Sequence, residues 1–252
     1  MGDGPPAPLI SIIIPTFNVE GMFSACLDSI GQQTFGDYEV VVMDGFSTDK
    51  TLAVVSDHPL RQTGRLSVHA DKDQGVYDAM NRGVACARGQ WLLFLGADDL
   101  LHAEDTLARV AAILGQDPPC QLAYGDVVLR SKGERYGGVF DLDRLLFEKN
   151  MCHQSIFYRR DLFTSVGPYN LRYPIWADWD FNIRCFANPL LVSRHMDLIV
   201  ANYNDTGGLS MKEDVELQRR LPVFLNAPKR RVAAWLGKGI GRVLPGLGTR
   251  DK

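Results

Sequence analysis

Between residues 9 and 95 the chain repeats one unit: a short apolar run, a polar turn, then a stretch with its apolar residues on one helical face. The runs are LISIIIP, YEVVVMDG, RLSVHA and WLLFLG. The first is rich in β-branched residues, unbroken and closed by Pro15, which is the pattern of a strand buried on both faces. After it, EGMFSACLDSI sets Met22, Phe23, Cys26, Leu27 and Ile30 on one helical face. STDKTLAVV opens a shorter helix, with Ser47 or Thr48 expected as N-cap. GVYDAMNRGVACARG puts Val76, Met80, Val84 and Ala87 on one side and stops at Gly89, and HAEDTLARVAAILG supplies the helix after the fourth run. Strands that alternate with helices at this spacing are joined by crossovers, so the expected fold class is α/β, a doubly wound and mainly parallel sheet.

In such sheets ligands sit beyond the carboxyl ends of the strands. The residues that follow each run therefore matter most: Thr16 and Asn18, Asp44, Asp71 with Asp73, and Asp98 with Asp99. An aspartate in a turn is commonplace, but polar groups at four strand ends on one rim point to a site. Asp98 and Asp99 are the sharpest case, because adjacent carboxylates repel and resist desolvation. They either cap the next helix or await a cation.

Past residue 120 the pattern loosens. QLAYGDVVLRSKGERYGG reads as a hairpin turning near residue 132. HQSIFYRRDLFTSVGPYN reads as a strand, a short helix and a glycine stop, and WADWDFNIRCFA as an acidic start to an amphipathic helix. At 252 residues the chain can bury a large core. Its 30 acidic and 27 basic residues leave a net charge of −3, which argues against nucleic acid as a partner. Five scattered cysteines without a C-x-x-C pair suit reduced thiols in a cytosolic protein. No apolar run is long enough to span a membrane, and MGDGPPAP does not read as a signal peptide.

The stretches SIIIPTFN, SIGQQTFGDYEVVVMDGFSTDKT, DQGVYDAMNRGVACARGQWLLFLGADD, HQSIFYRRDLF and WADWDF, in this order and spacing, resemble the inverting, GT-A-fold glycosyltransferases of family 2, especially those that build bacterial polysaccharides and glycolipids. The resemblance covers roughly residues 9 to 210. It implies a nucleotide-sugar-binding half, 9–125, and an acceptor-binding, catalytic half, 126–225, after a flexible N-terminus, 1–8. It implies that Asp99 holds Mg²⁺ or Mn²⁺ and that Asp98 contacts the donor ribose. Thr16, Phe17 and Asn18 would meet the nucleotide, with Asp44 beside the nucleoside and Asp73 near the donor. Many members carry a second acid after the one matched by Asp44; Gly45 stands here, which leaves UDP over other bases an expectation. Asp178 matches the catalytic base and Asp180 the acid after it, while the glutamate usual before the base is Ala177. The competing reading of Asp178 is a helix N-cap carboxylate, and the base is the preferred one. His153 and Gln154 match residues at the floor of the acceptor cleft, and Trp176 and Trp179 offer faces for a sugar or for the core. NDTGGLS is either a loop that closes over the phosphates or an ordinary turn.

The expected reaction moves one sugar from a nucleotide-sugar donor, with UDP the expected nucleotide, to a saccharide or polyprenyl-linked acceptor. A nucleotidyltransferase and a silent sugar-nucleotide-binding protein are the alternatives; PTFNVEGMF lacks the Gly-rich phosphate loop of the former. From Asn226 to Lys252 there are seven basic residues and one acid. There Trp235, Leu236, Ile240, Val243 and Leu244 can share a helical face, which suits either a helix on the inner membrane surface or a solubilising tail.

Overall fold

The computed structural model describes residues 6–222. The basic tail, 226–252, and most of the expected flexible N-terminus lie outside the described residues. The first half runs β1 (Ile10–Thr16), α1 (Phe23–Gly31), β2 (Tyr38–Asp44), α2 (Thr51–Asp57), α3 (Pro59–Gln62), β3 (Leu66–Ala70), α4 (Val76–Cys86), β4 (Trp91–Phe94), β5 (Leu100–Leu101) and α5 (Thr106–Leu114). The second runs β6 (Leu122–Leu129), β7 (Glu134–Tyr136), α6 (Leu142–Phe147), β8 (Ile156–Arg159), α7 (Leu162–Ser165), α8 (Ala177–Phe186), β9 (Ser193–Tyr203) and α9 (Val215–Gln218).

One sheet carries both halves, in the order β3-β2-β1-β4-β8-β6-β9-β5, with β7 added beside β6. β1 to β4 pair in parallel, β8 enters antiparallel between β4 and β6, and β6 pairs in parallel with β9. The division expected at residues 125 and 126 thus falls inside β6, where the two halves share strands. Alternate residues of β1 feed opposite cores: Ile13 joins Tyr77, Met80 and Phe181 on one side, while Ile12 and Ile14 join Phe23, Leu27 and Ile30 on the other. All are fully or nearly fully buried, and each large apolar side chain removed from water contributes about 1.5–3 kcal/mol.

Three expectations are corrected. α2 does not start at a Ser47 or Thr48 cap, because Ser47 spends its N–H and hydroxyl on Asp44 and Thr48 donates to Asn18 Oδ1. The helix begins at Thr51 instead, whose N–H meets Asp49 at 2.9 Å. The stretch after the Asp pair is not helical until Thr106; Leu100–Leu101 pair with β9. α8 is not amphipathic either: Ala177 through Cys185 are all buried, and the polar residues among them are hydrogen-bonded inside the protein.

Candidate functional site

A cavity of about 880 Å³ opens beyond the carboxyl ends of β1 and β4 and reaches α8 and the segment that leads into β8. Asp98 and Asp99 stand on the turn between β4 and β5, not at a helix start: the residue before α5 is Asp105. A Cβ on Gly96 would lie 2.5 Å from Asp99 Oδ2 and 2.8 Å from Asp98 Oδ1, so both carboxylates fold over that glycine. Asp99 is 1% exposed. Its Oδ1 accepts the Asn204 N–H at 2.7 Å and its Oδ2 accepts from Gln154 Nε2 at 3.0 Å. Burial pushes its carboxyl up to about 6 against the pull of those bonds. Asp98 is held by Asn204 Nδ2 at 2.9 Å.

This donor set fits a hard divalent cation. It consists of oxygens, and Mg²⁺ or Mn²⁺ typically takes one or two carboxylates and completes its shell with water and substrate phosphates. Among the described residues no cluster of three His, Cys, Asp or Glu is gathered for a metal, so the chain itself would offer the Asp pair and leave the remaining positions to the donor.

Asp178 lies in the first turn of α8, with Trp176 in the cap position, so its carboxylate is not the N-cap. Tyr77, from α4, donates to Oδ1 at 2.7 Å, and Asn150 Nδ2 donates to Oδ2 at 2.9 Å. His153 Nδ1 is 3.4 Å from Oδ2, at the long limit for a hydrogen bond. His153 and Gln154 share one 3₁₀ turn, and from it one side chain reaches Asp178 and the other Asp99. Two acids that are 79 positions apart in the chain are therefore linked through adjacent residues at the floor of one cavity.

Of the expected site residues, Thr16, Phe17, Asp73, Asp98, Asp99, His153, Gln154, Trp176, Asp178 and Trp179 line this cavity. Asn18, Asp44 and Asp180 do not. Asp44 accepts from Thr16 Oγ1 at 2.9 Å and from Ser47, which props up the residue that does line it. Asn18, at φ 54°, accepts the Thr48 N–H at 2.8 Å and ties the two loops together. Phe17 is 62% exposed at the rim. A Cβ on Gly45 would come within 2.7 Å of Asp73 Oδ2, so the Asp73 carboxylate stands where a side chain at position 45 would begin. The indoles of Trp176 and Trp179 pack 5.4 Å apart, and Trp179 Nε1 is anchored to the Leu145 carbonyl.

Asp180 faces away, fully buried against Arg184 at 2.9 Å, and among the described residues its Oδ1 has no hydrogen-bond partner. Burial pushes it up to about 6. Because the folded state holds this proton more tightly than an unfolded chain with an ordinary value near 4, the stability it contributes is present at low pH. That stability is lost as pH rises from about 4 to 6. Asp180→Asn cannot ionise. Thermal melts should therefore show the variant gaining roughly 2 to 3 kcal/mol on the parent across that window and nothing further above it. Parallel curves would contradict this assignment.

The sequence marks neither Tyr77 nor Asn150, and it marks Asn204 only as the start of NDTGGLS. Tyr77 sits among apolar helix residues, and Asn150 lies in an irregular segment with no periodicity to mark it.

A model of the family described as Glycosyl transferase family 2 matches residues 11–163. A protein of Mycobacterium bovis (strain BCG / Pasteur 1173P2) named PGL/p-HBAD biosynthesis glycosyltransferase is 61% identical over 218 residues, 86% of this chain and 85% of that one. Among solved structures, Staphylococcus aureus TarS (residues 1–349) in complex with UDP-GlcNAc superposes with a TM-score of 0.68 at 19% identity, covering 92% of this chain and 75% of that one. The Pyrobaculum calidifontis mannosyltransferase PcManGT in complex with GDP-Man and Mn²⁺ gives 0.61 at 19% identity, covering 96% and 73%.

Proposed function

The chain belongs to glycosyl transferase family 2 and has the GT-A fold, and on that premise we propose that it is a metal-dependent, inverting enzyme that moves a single sugar from a nucleotide sugar to a saccharide on a lipid-linked acceptor. The observation that supports this reading is the placement of the Asp98–Asp99 turn and Asp178 in one cavity, bridged by the His153–Gln154 turn. Thr16, Phe17, Asp73 and Asp98 take the nucleotide side, with Asp44 and Asn18 behind them. UDP is the expected nucleotide. Asp99 would hold Mg²⁺ or Mn²⁺, which when bound neutralises the diphosphate as a Lewis acid.

The acceptor hydroxyl gives its proton to Asp178 while its oxygen forms a bond to the anomeric carbon. The bond from that carbon to the diphosphate oxygen breaks, and its electron pair leaves with the nucleoside diphosphate. A single carboxylate suffices, because the diphosphate is a good leaving group that needs no general acid. Trp176, half-buried beside Asp178, offers an aromatic face that suits the apolar side of an acceptor sugar, while Trp179, 6% exposed, backs it from the core. The mycobacterial relative, by its name, acts in PGL/p-HBAD biosynthesis, which supports a glycolipid acceptor.

A thermal-shift panel of nucleotide sugars with Mn²⁺ tests the reading. A ligand at a hundred times its Kd stabilises the folded state by about 2.7 kcal/mol, so at least one nucleotide sugar should raise Tm by several degrees. A panel without any shift would refute it.

No helix among the described residues is long and apolar enough to cross a membrane. We assign contact with the inner membrane surface to the basic stretch 226–252, whose seven basic residues suit an anionic bilayer. Deleting it should move the protein from the membrane fraction to the soluble one; unchanged partition would dispose of that anchor.

A further inference from the structure

α8 is buried on every side, yet it carries Asn182 with no exposure at all. A buried carboxamide is costly unless its oxygen and nitrogen find partners. Here both do, and in one direction. Tyr158, fully buried on β8, donates its hydroxyl to Asn182 Oδ1 at 2.8 Å. Asn182 Nδ2 then donates to Asn150 Oδ1 at 3.0 Å, and Asn150 Nδ2 donates to Asp178 Oδ2 at 2.9 Å. An amide can be flipped, but flipping Asn150 would press its carbonyl oxygen against the carboxylate. A flipped Asn182 would likewise no longer offer Asn150 an N–H. With Asp178 ionised, the arrangement in which donors meet acceptors at each contact is the one observed.

We propose that Tyr158, Asn182 and Asn150 are positioning residues that fix the sense of a hydrogen-bond chain so that its last N–H always faces the Asp178 carboxylate. This rests on the reading of Asp178 as proton acceptor. The chain and the Tyr77 hydroxyl hold one oxygen each, which sets the plane of the carboxylate relative to the cavity. Tyr158 does not line the cavity and touches no ligand space, which separates its effect from binding.

The test is Tyr158→Phe. The ring keeps its packing on Phe94, Phe163 and Phe181, with centroids 6.0, 5.9 and 5.4 Å away, and loses one oxygen. With Asn182 no longer held, kcat should fall about tenfold while donor KM stays within about twofold. The acid limb of the kcat–pH profile should also move up by about half to one unit, as expected when an ionised carboxylate loses a donor. The other titratable groups facing Asp178 are Tyr77 from α4, Cys152 and His153 from the 3₁₀ turn and its edge, Tyr136 from β7, and Tyr169 from the loop after α7. Each of these residues is retained in the variant, and Tyr169, whose hydroxyl interacts with that of Tyr158, is the one whose surroundings also change.

A lowered Tm with a wild-type kcat and pH profile would mean that the chain only packs the core, and the proposal falls. If Tyr158→Phe does not fold, Asn150→Ala at the cavity edge carries the same test through the same displacement of the acid limb; a profile superimposed on the parent's overturns the proposal. In the Asn150→Ala background, Tyr158→Phe should cost no further kcat, because the two act through one contact. Asp178→Asn separates the two levels. If that variant transfers sugar at the parent rate, the base reading itself fails; if it is inactive while Tyr158→Phe behaves as parent, the hydrogen-bond chain alone fails.

Discussion

Asp178→Asn is expected to lower kcat by about a hundred- to ten-thousandfold, the usual range for a lost general base, while the Kd for the nucleoside diphosphate stays within about twofold. Asparagine fills the same volume in the first turn of α8 but cannot take a proton from a hydroxyl at neutral pH. Its oxygen can still accept from Tyr77 or from Asn150, so the local fold survives. The nucleotide side of the cavity, at Thr16 and the Asp98–Asp99 turn, is built from β1 and β4 and does not include Asp178. Transfer to acceptor and calorimetric nucleotide binding, measured on the same preparation, check the split. A variant that keeps more than about a tenth of the parent rate would remove Asp178 from the chemistry.

The second large effect is expected at Asp99. Asp99→Ala removes the carboxylate that accepts from Asn204 and Gln154, and with it the more buried half of the oxygen pair over Gly96. Donor affinity should then fall by about tenfold or more in the presence of Mn²⁺ and become indifferent to the metal, whereas affinity without metal should change little. The Gln154 amide loses its acceptor in this variant, so Asp99→Asn is the gentler companion. It keeps a carbonyl oxygen for Asn204 or Gln154, while it loses the charge and turns an NH2 toward the other donor. Both variants should share the loss of metal response. If either retains the parent's response to Mn²⁺, the cation is held elsewhere.

How far the sequence carried these conclusions depends on which physical signal each part leaves. Three runs of the first half became β1, β2 and β4 because strands buried on both faces must be apolar throughout, and few other structures need LISIIIP; β3, at the sheet's edge, is buried only at Leu66 and was legible from its place in the alternation. The hairpin of β6 and β7 and the strand–helix–glycine unit ending at Gly167 were also legible, the last because a φ of 94° suits glycine. β9 was not, although it is the longest strand among the described residues: SRHMDLIVANY mixes half-exposed and buried positions without strict alternation. The mistaken amphipathic reading of α8 has the same root. Asp178, Asp180, Asn182 and Arg184 look like a solvated face until their partners on α4, β8 and the Asn150 loop are brought beside them.

The candidate site divides along the same line. Asp98 and Asp99 announce themselves as an electrostatically awkward pair at a strand end, and Asp178 as an acid opening a helix. Their shared cavity rests on the antiparallel insertion of β8 between β4 and β6, which carries the His153–Gln154 turn to the floor. That long-range pairing has no local signature. Asp180 had the same sequence credentials as its neighbour two residues earlier, and a 200° turn of helix separates a cavity-lining acid from one sealed against Arg184.

The most direct measurement is calorimetric titration of the parent protein with the nucleoside diphosphate of its donor, in Mn²⁺ and again in chelator. A cation shared between the Asp pair and the diphosphate predicts binding at least about tenfold tighter with the metal, since two carboxylates facing a diphosphate repel it until that charge is neutralised. Identical isotherms in the two buffers would contradict the account at its centre.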